Sequence, residues 1–133
     1  MLEDQNHVLI QEILTSQSYK NYLQARKQMN DCPEAQQLKQ AFQTEKAKFE
    51  QISAYGDYAP GYRQQQKKVQ LSKRALDLNE QVAAYRLAET TLQQMLDEIS
   101  RSLAGTISAE IKVDAGNPFF ETGNHTCKGN CHG

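Results

Sequence analysis

The stretch Leu78–Ala109, LNEQVAAYRLAETTLQQMLDEISRSLAGTISA, decides the fold class. Leu78, Val82, Tyr85, Leu92, Leu96, Ile99 and Leu103 recur at alternating steps of three and four, with only Glu89 interrupting the stripe. That period places one apolar seam along a helix. Thirty-two helical residues would span about 48 Å, longer than a small domain needs. The excess length and the regular seam predict a coiled-coil-like contact with another subunit, and these seven residues are its candidate interface. Packing within one chain is the common fate of such a stripe and stands beside that reading.

Working toward the N-terminus, the joint Leu76-Asp77-Leu78-Asn79 offers Asp77 or Asn79 as a bend or new cap. A fourth helix is expected before it, from about Gly61 to Ala75, with Tyr62, Val69 and Leu76 every seven residues. Gly56-Asp57-Tyr58-Ala59-Pro60-Gly61 has the chemistry of a turn. The third helix starts at Pro33, a favoured first residue, with Asp31 or Cys32 as cap, and runs to about Tyr55. Its stripe is Leu38, Phe42, Phe49 and Ile52, broken by the polar Glu45. Residues 3–16 read as a first helix, and Ser16 or Ser18 caps a second. The expected fold is therefore all-α: an antiparallel hairpin of helices three and four, with the long last helix packed along it and free to oligomerise. Residues 1–109 form the helical domain. Residues 110–133 form an extended tail, rich toward its end in Gly, Asn, Cys and His and lacking an apolar period there.

Composition bounds the function. Hydrophobic residues make up 38% of the 133, below the roughly 45–50% of an ordinary globular chain, which leaves a thin core for partners to complete. The net charge is −1, so overall charge does not drive nucleic-acid binding. No run of about 18 apolar residues exists to span a membrane. The opening Met1-Leu2-Glu3-Asp4 is acidic where a secretion signal is basic, which predicts a cytoplasmic protein whose 3 Cys are reduced.

Chemistry concentrates in the tail. His125-Thr126-Cys127-Lys128-Gly129-Asn130-Cys131-His132 gathers four thiol and imidazole groups on a glycine-containing loop. Such ligands suit zinc or an iron–sulfur cluster, although the spacing is C-x3-C and no second Cys pair exists. A merely reactive or inert tail has the same composition. Two thiolates cannot complete a four-thiolate site, so His125, His132 or a partner would have to contribute. Cys32 reads as a capping-region residue, and His7 as a surface one.

No nucleophile–base pair, zinc-protease motif, phosphate-cradling loop or dinucleotide fingerprint occurs, which argues against an enzyme. Asp97-Glu98 reads as a pair of solvated charges. Between Asp57 and Asp77 there is no acid, while Arg63, Lys67, Lys68, Lys73 and Arg74 line helix four. That strip suits RNA phosphates or an acidic partner, although a solvated helix face is the ordinary case.

Three segments carry a resemblance: Tyr55-Gly56-Asp57-Tyr58-Ala59-Pro60-Gly61-Tyr62-Arg63, Leu76-Asp77-Leu78-Asn79-Glu80-Gln81-Val82, and Gly116-Asn117-Pro118-Phe119-Phe120 followed by the Cys-bearing tail. In this order they resemble the YlbF/YmcA family, on its YlbF side. The resemblance implies a helical, self-associating, non-enzymatic regulator of competence, sporulation and biofilm formation. It implies a complex with YmcA-like and YaaT-like subunits that binds an iron–sulfur cluster and assists ribonuclease Y in mRNA maturation. Carried over residue by residue, it makes Cys127 and Cys131 the cluster ligands. This tail is poorer in Cys than the family's, so partner thiolates would complete a shared cluster, with zinc as the alternative. Two other readings remain: an RNA-binding module using the basic face of residues 63–74, and a thiol-redox or zinc-binding interaction protein.

Overall fold

A computed structural model of the chain describes residues 1–114. Among the described residues there are five helices and no strand: α1 (Leu2–Thr15), α2 (Gln17–Asp31), α3 (Pro33–Ser53), α4 (Tyr62–Leu78) and α5 (Glu80–Ile107). The all-helical architecture and the hairpin agree with the sequence-based expectation.

Each boundary has a local cause. Ser16 stands extended between α1 and α2, and its Oγ accepts the Tyr19 N–H at 3.3 Å. Cys32 is the extended residue between α2 and α3, and Pro33 then opens α3. Gly56 and Gly61 bracket the hairpin turn at φ +88° and +81°, a left-handed backbone that a Cβ disfavours. Tyr62, first residue of α4, has its phenol pKa raised by burial and by the Asp57 carboxylate it bonds, which ties the turn to the helix.

One boundary corrects the expectation. Leu78 belongs to α4, not to the last helix, and is 71% exposed. Asn79 is extended, and its Oδ1 accepts the N–H groups of Gln81 at 3.0 Å and Val82 at 3.2 Å. A side chain that satisfies two orphan donors starts a helix more strongly than continuity of an apolar stripe prolongs one. Arg86 and Asp77 form an ion pair across this joint.

The chain divides into two compact units, Met1–Leu92 and the residues from Gln93 onward, so the division falls within α5. In the first unit the most extensive pairing is α3 with α4, while α1 touches α2 and α2 touches α3 over short stretches. Its core is small: Ala35 of α3, Leu76 of α4 and Val82 of α5, with Met29, Cys32, Leu38 and Phe42 packed around them. At the opposite end of the hairpin Phe49 and Tyr62 meet with ring centroids 5.1 Å apart. In the second unit Asp97 is buried and accepts a bond from Gln93 Nε2 at 2.9 Å. The expectation of a solvated Asp97-Glu98 pair therefore holds only for Glu98. The Gln93 amide, one turn earlier, gives the buried carboxylate a donor that sequence adjacency does not reveal.

Candidate partner-docking site

The break in the α3 stripe is a working polar contact. Gln65 of α4 is buried, and its Nε2 donates to Glu45 Oε2 at 2.6 Å and to the Glu45 carbonyl at 3.0 Å. Lys48 Nζ reaches the other carboxylate oxygen at 3.3 Å. The Gln65 bond, followed by Lys48, holds the Glu45 carboxyl below its ordinary value, outweighing the opposing effect of burial. A depressed carboxylate adds stability above its unfolded pKa and loses it as pH falls through the folded one. Gln65→Leu is therefore expected to be less stable than the wild type at pH 7. The gap between the two should narrow as pH falls through the carboxylate range. Urea midpoints at pH 7, 5 and 3 check this, and a constant gap would refute it.

At the other end of the hairpin the core lies beside an open cleft of ≈ 350 Å³. Met29, Phe42, Leu76, Val82 and Tyr85 form its apolar floor, and Lys39, Lys46 and Arg86 line it as cations. No acid lines it. Tyr85 is fixed from α2: its ring lies 5.7 Å from that of Tyr22, which in turn stacks on Tyr19 at 6.4 Å. The Tyr22 hydrogen bond, then burial and Glu89, push its phenol pKa up to about 12, so it stays protonated at any physiological pH. A second groove, between α2 and α5, is floored by Ala25, Ala84 and Ala88.

The predicted interface residues divide. Val82 is buried in the core at 4% exposure, so it serves the chain's own fold in this structure. Tyr85, Leu92, Leu96 and Ile99 are half-buried, and Leu78 and Leu103 are exposed. All five cations of α4 are exposed. At about 100° per residue, Arg63, Lys67 and Arg74 fall within roughly 40° of one another, while Lys68 and Lys73 turn to opposite flanks. Lys68 lies near enough to Glu45 to help lower its pKa. Leu71, 58% exposed, lies on the same outward side as Leu78. The seven-residue step from Leu71 to Leu78, matched by Lys67 to Arg74, was the available signal for that mixed face.

Cys32 is half-buried against the core, and among the described residues no three His, Cys, Asp or Glu side chains gather as a metal site. His125, Cys127, Cys131 and His132 lie outside the described residues. No described helix is long and apolar enough to cross a membrane.

Comparison with known proteins agrees with this architecture. The chain is 35% identical over 130 residues to the regulatory protein YlbF of Bacillus subtilis (strain 168), covering 98% of this chain and 87% of that protein. Its fold is similar, with a TM-score of 0.77 and 33% identity, to a chain in the crystal structure of Bacillus subtilis RicA in complex with RicF. That match covers 84% of this chain and 96% of the other. Residues 2–108 match the family described as control of competence regulator ComK, YlbF/YmcA. With a match of that extent and a relative of that identity, the chain belongs to the YlbF/YmcA family of competence regulators.

Proposed function

We propose that the chain is a non-enzymatic, cytoplasmic subunit of a YlbF–YmcA–YaaT-like complex that assists ribonuclease Y in mRNA maturation, and through it competence, sporulation and biofilm development. One observation carries the reading: large apolar side chains on several helices, including Leu71, Leu78 and Leu87, stand 58–71% exposed around a small core. Surfaces of that kind are completed by other proteins. The similar structure of RicA in complex with RicF makes a two-chain assembly the natural precedent.

The described residues do not fit an iron–sulfur cluster, because Cys32 has no companion ligands. The proposed ligands are Cys127 and Cys131, with His125 and His132 in reserve and partner thiolates completing a shared cluster; zinc is the alternative metal. The RNA reading rests on the shared outward face of Arg63, Lys67 and Arg74. The apolar Leu71 and Leu78 beside those cations favour a protein partner over a phosphate backbone.

The test is anaerobic co-purification with the YmcA-like and YaaT-like chains and ribonuclease Y, for the wild type and for Cys127→Ser/Cys131→Ser. Iron, sulfide and zinc are then quantified. The expected result is capture of all three partners by both forms, with iron and sulfide lost from the variant. Capture of none of them overturns the assembly role. Capture without metal in any form removes the cluster and leaves the docking.

A further inference from the structure

The first helix has an apolar face that is only partly covered, with Leu9 and Ile13 half-buried and the rest exposed. Six of the 14 residues of α1 are apolar and none is buried; Leu2 is 85% exposed and Ile10 and Leu14 are 40% and 42% exposed. An isolated helix shorter than about 12–15 residues is marginal in water, so this one needs a surface to lie on. At about 100° per residue Leu2, Leu9, Ile10, Ile13 and Leu14 share one sector, with Glu3 at one edge of it between Ile10 and Leu14 and Glu12 beyond the other edge. Its charged side chains are Glu3, Asp4 and Glu12, all acidic.

The cleft beside the core has the complementary character. Its floor is aliphatic and aromatic, and among the described residues its charged lining is basic: Lys39, Lys46 and Arg86. Arg86 is engaged with Asp77. Lys46 pairs with Glu50 at 3.7 Å, a solvent-exposed contact within one helix that is easily exchanged, and Lys39 stands exposed beside it.

We propose that α1 of one copy of this chain seats its apolar face in the cleft of a second copy, with Glu3 and Glu12 against Lys39 and Lys46. Each copy supplies one helix and one cleft, so two copies exchange helices in a closed pair in which both α1 faces and both clefts are covered. The idea rests on the reading of the chain as an assembly subunit and names the surface that brings the first two copies together.

Charge reversal on the full-length chain tests it. Glu3→Lys/Glu12→Lys reverses the helix, and Lys39→Glu/Lys46→Glu reverses the cleft. Each variant alone is expected to weaken self-association by about tenfold or more, because like charges then face each other. Mixing the two is expected to restore it. Every mixed pair then joins a reversed helix to a reversed cleft, and a native helix to a native cleft. Analytical ultracentrifugation reads the association, and circular dichroism confirms that both variants remain helical.

Unchanged association in either variant, or losses that mixing does not repair, would overturn the proposal. So would a wild type that is monomeric alone and uses these residues only toward the other subunits of the proposed complex; the assembly reading would then survive. Repair on mixing without capture of those subunits would leave this contact standing and remove the larger complex.

Discussion

Val82→Asp is expected to cost about 3–5 kcal/mol, the usual consequence of an uncompensated charge in a buried site. Val82 is 4% exposed and packs with Ala35 and Leu76, where α3, α4 and α5 converge. Arg86, the nearest cation in sequence, is already paired with Asp77, and Lys39 and Lys46 of α3 are exposed, so a carboxylate drawn toward them has to leave the core. Against a typical total of roughly 5–15 kcal/mol, that loss removes much of the stability. Urea unfolding followed by circular dichroism measures it. Leu103→Asp serves as the comparison, because Leu103 is 57% exposed and the same charge there stays in water. A Val82→Asp midpoint equal to that of Leu103→Asp would mean that the junction is not the core of the fold.

The second large effect is expected from Leu76→Ala, at about 2–3 kcal/mol, the lower part of the range for such truncations. The full cost of a cavity arises where surrounding atoms cannot collapse and water cannot enter. Leu76 is 7% exposed, yet it also forms part of the cleft floor, so the space it vacates joins an existing opening. The denaturation slope should stay unchanged while the midpoint falls, the mark of altered stability without altered compactness. A loss near 5 kcal/mol would show that the cleft is closed in solution, as it would be with a helix seated in it. Repeating the measurement across protein concentrations separates those cases, because a helix supplied by a second copy makes stability concentration-dependent.

The helices and most of their ends were legible because their causes are local. Ser16, Pro33 and Gly56 each act on backbone groups within a few residues. Leu78 was misplaced because periodicity carries no information about which of two adjacent signals wins; the Asn79 side chain decides it by bonding two N–H groups. The Glu45–Gln65 contact was illegible for a different reason. The two residues are 20 apart, and a polar residue in a stripe gives no hint of its partner across a hairpin. Asp97 is similar: its burial depends on packing that adjacency to Glu98 does not encode. The docking cleft combines α2, α3, α4 and α5, so its basic lining, scattered over Lys39, Lys46 and Arg86, forms no linear motif. The basic strip of α4 was visible as composition, but the turn of the helix sorts it into three outward cations and two flanking ones.

The eight-residue connection between α3 and α4, residues 54–61, also orders events in time. A hairpin closed by a short loop brings its partners together over small chain separations, and contacts of that kind form fast. Hairpin α3–α4 therefore has the means to assemble before α5 supplies Val82 and before any second chain arrives. Encounters between chains depend on concentration and are slower than the pairing of neighbouring helices. In a newly made chain the cleft is accordingly a late-filled surface, present in every folded copy from the moment Val82 docks. The abundance of the protein, more than its folding rate, then governs how long that surface stays open to a competing partner.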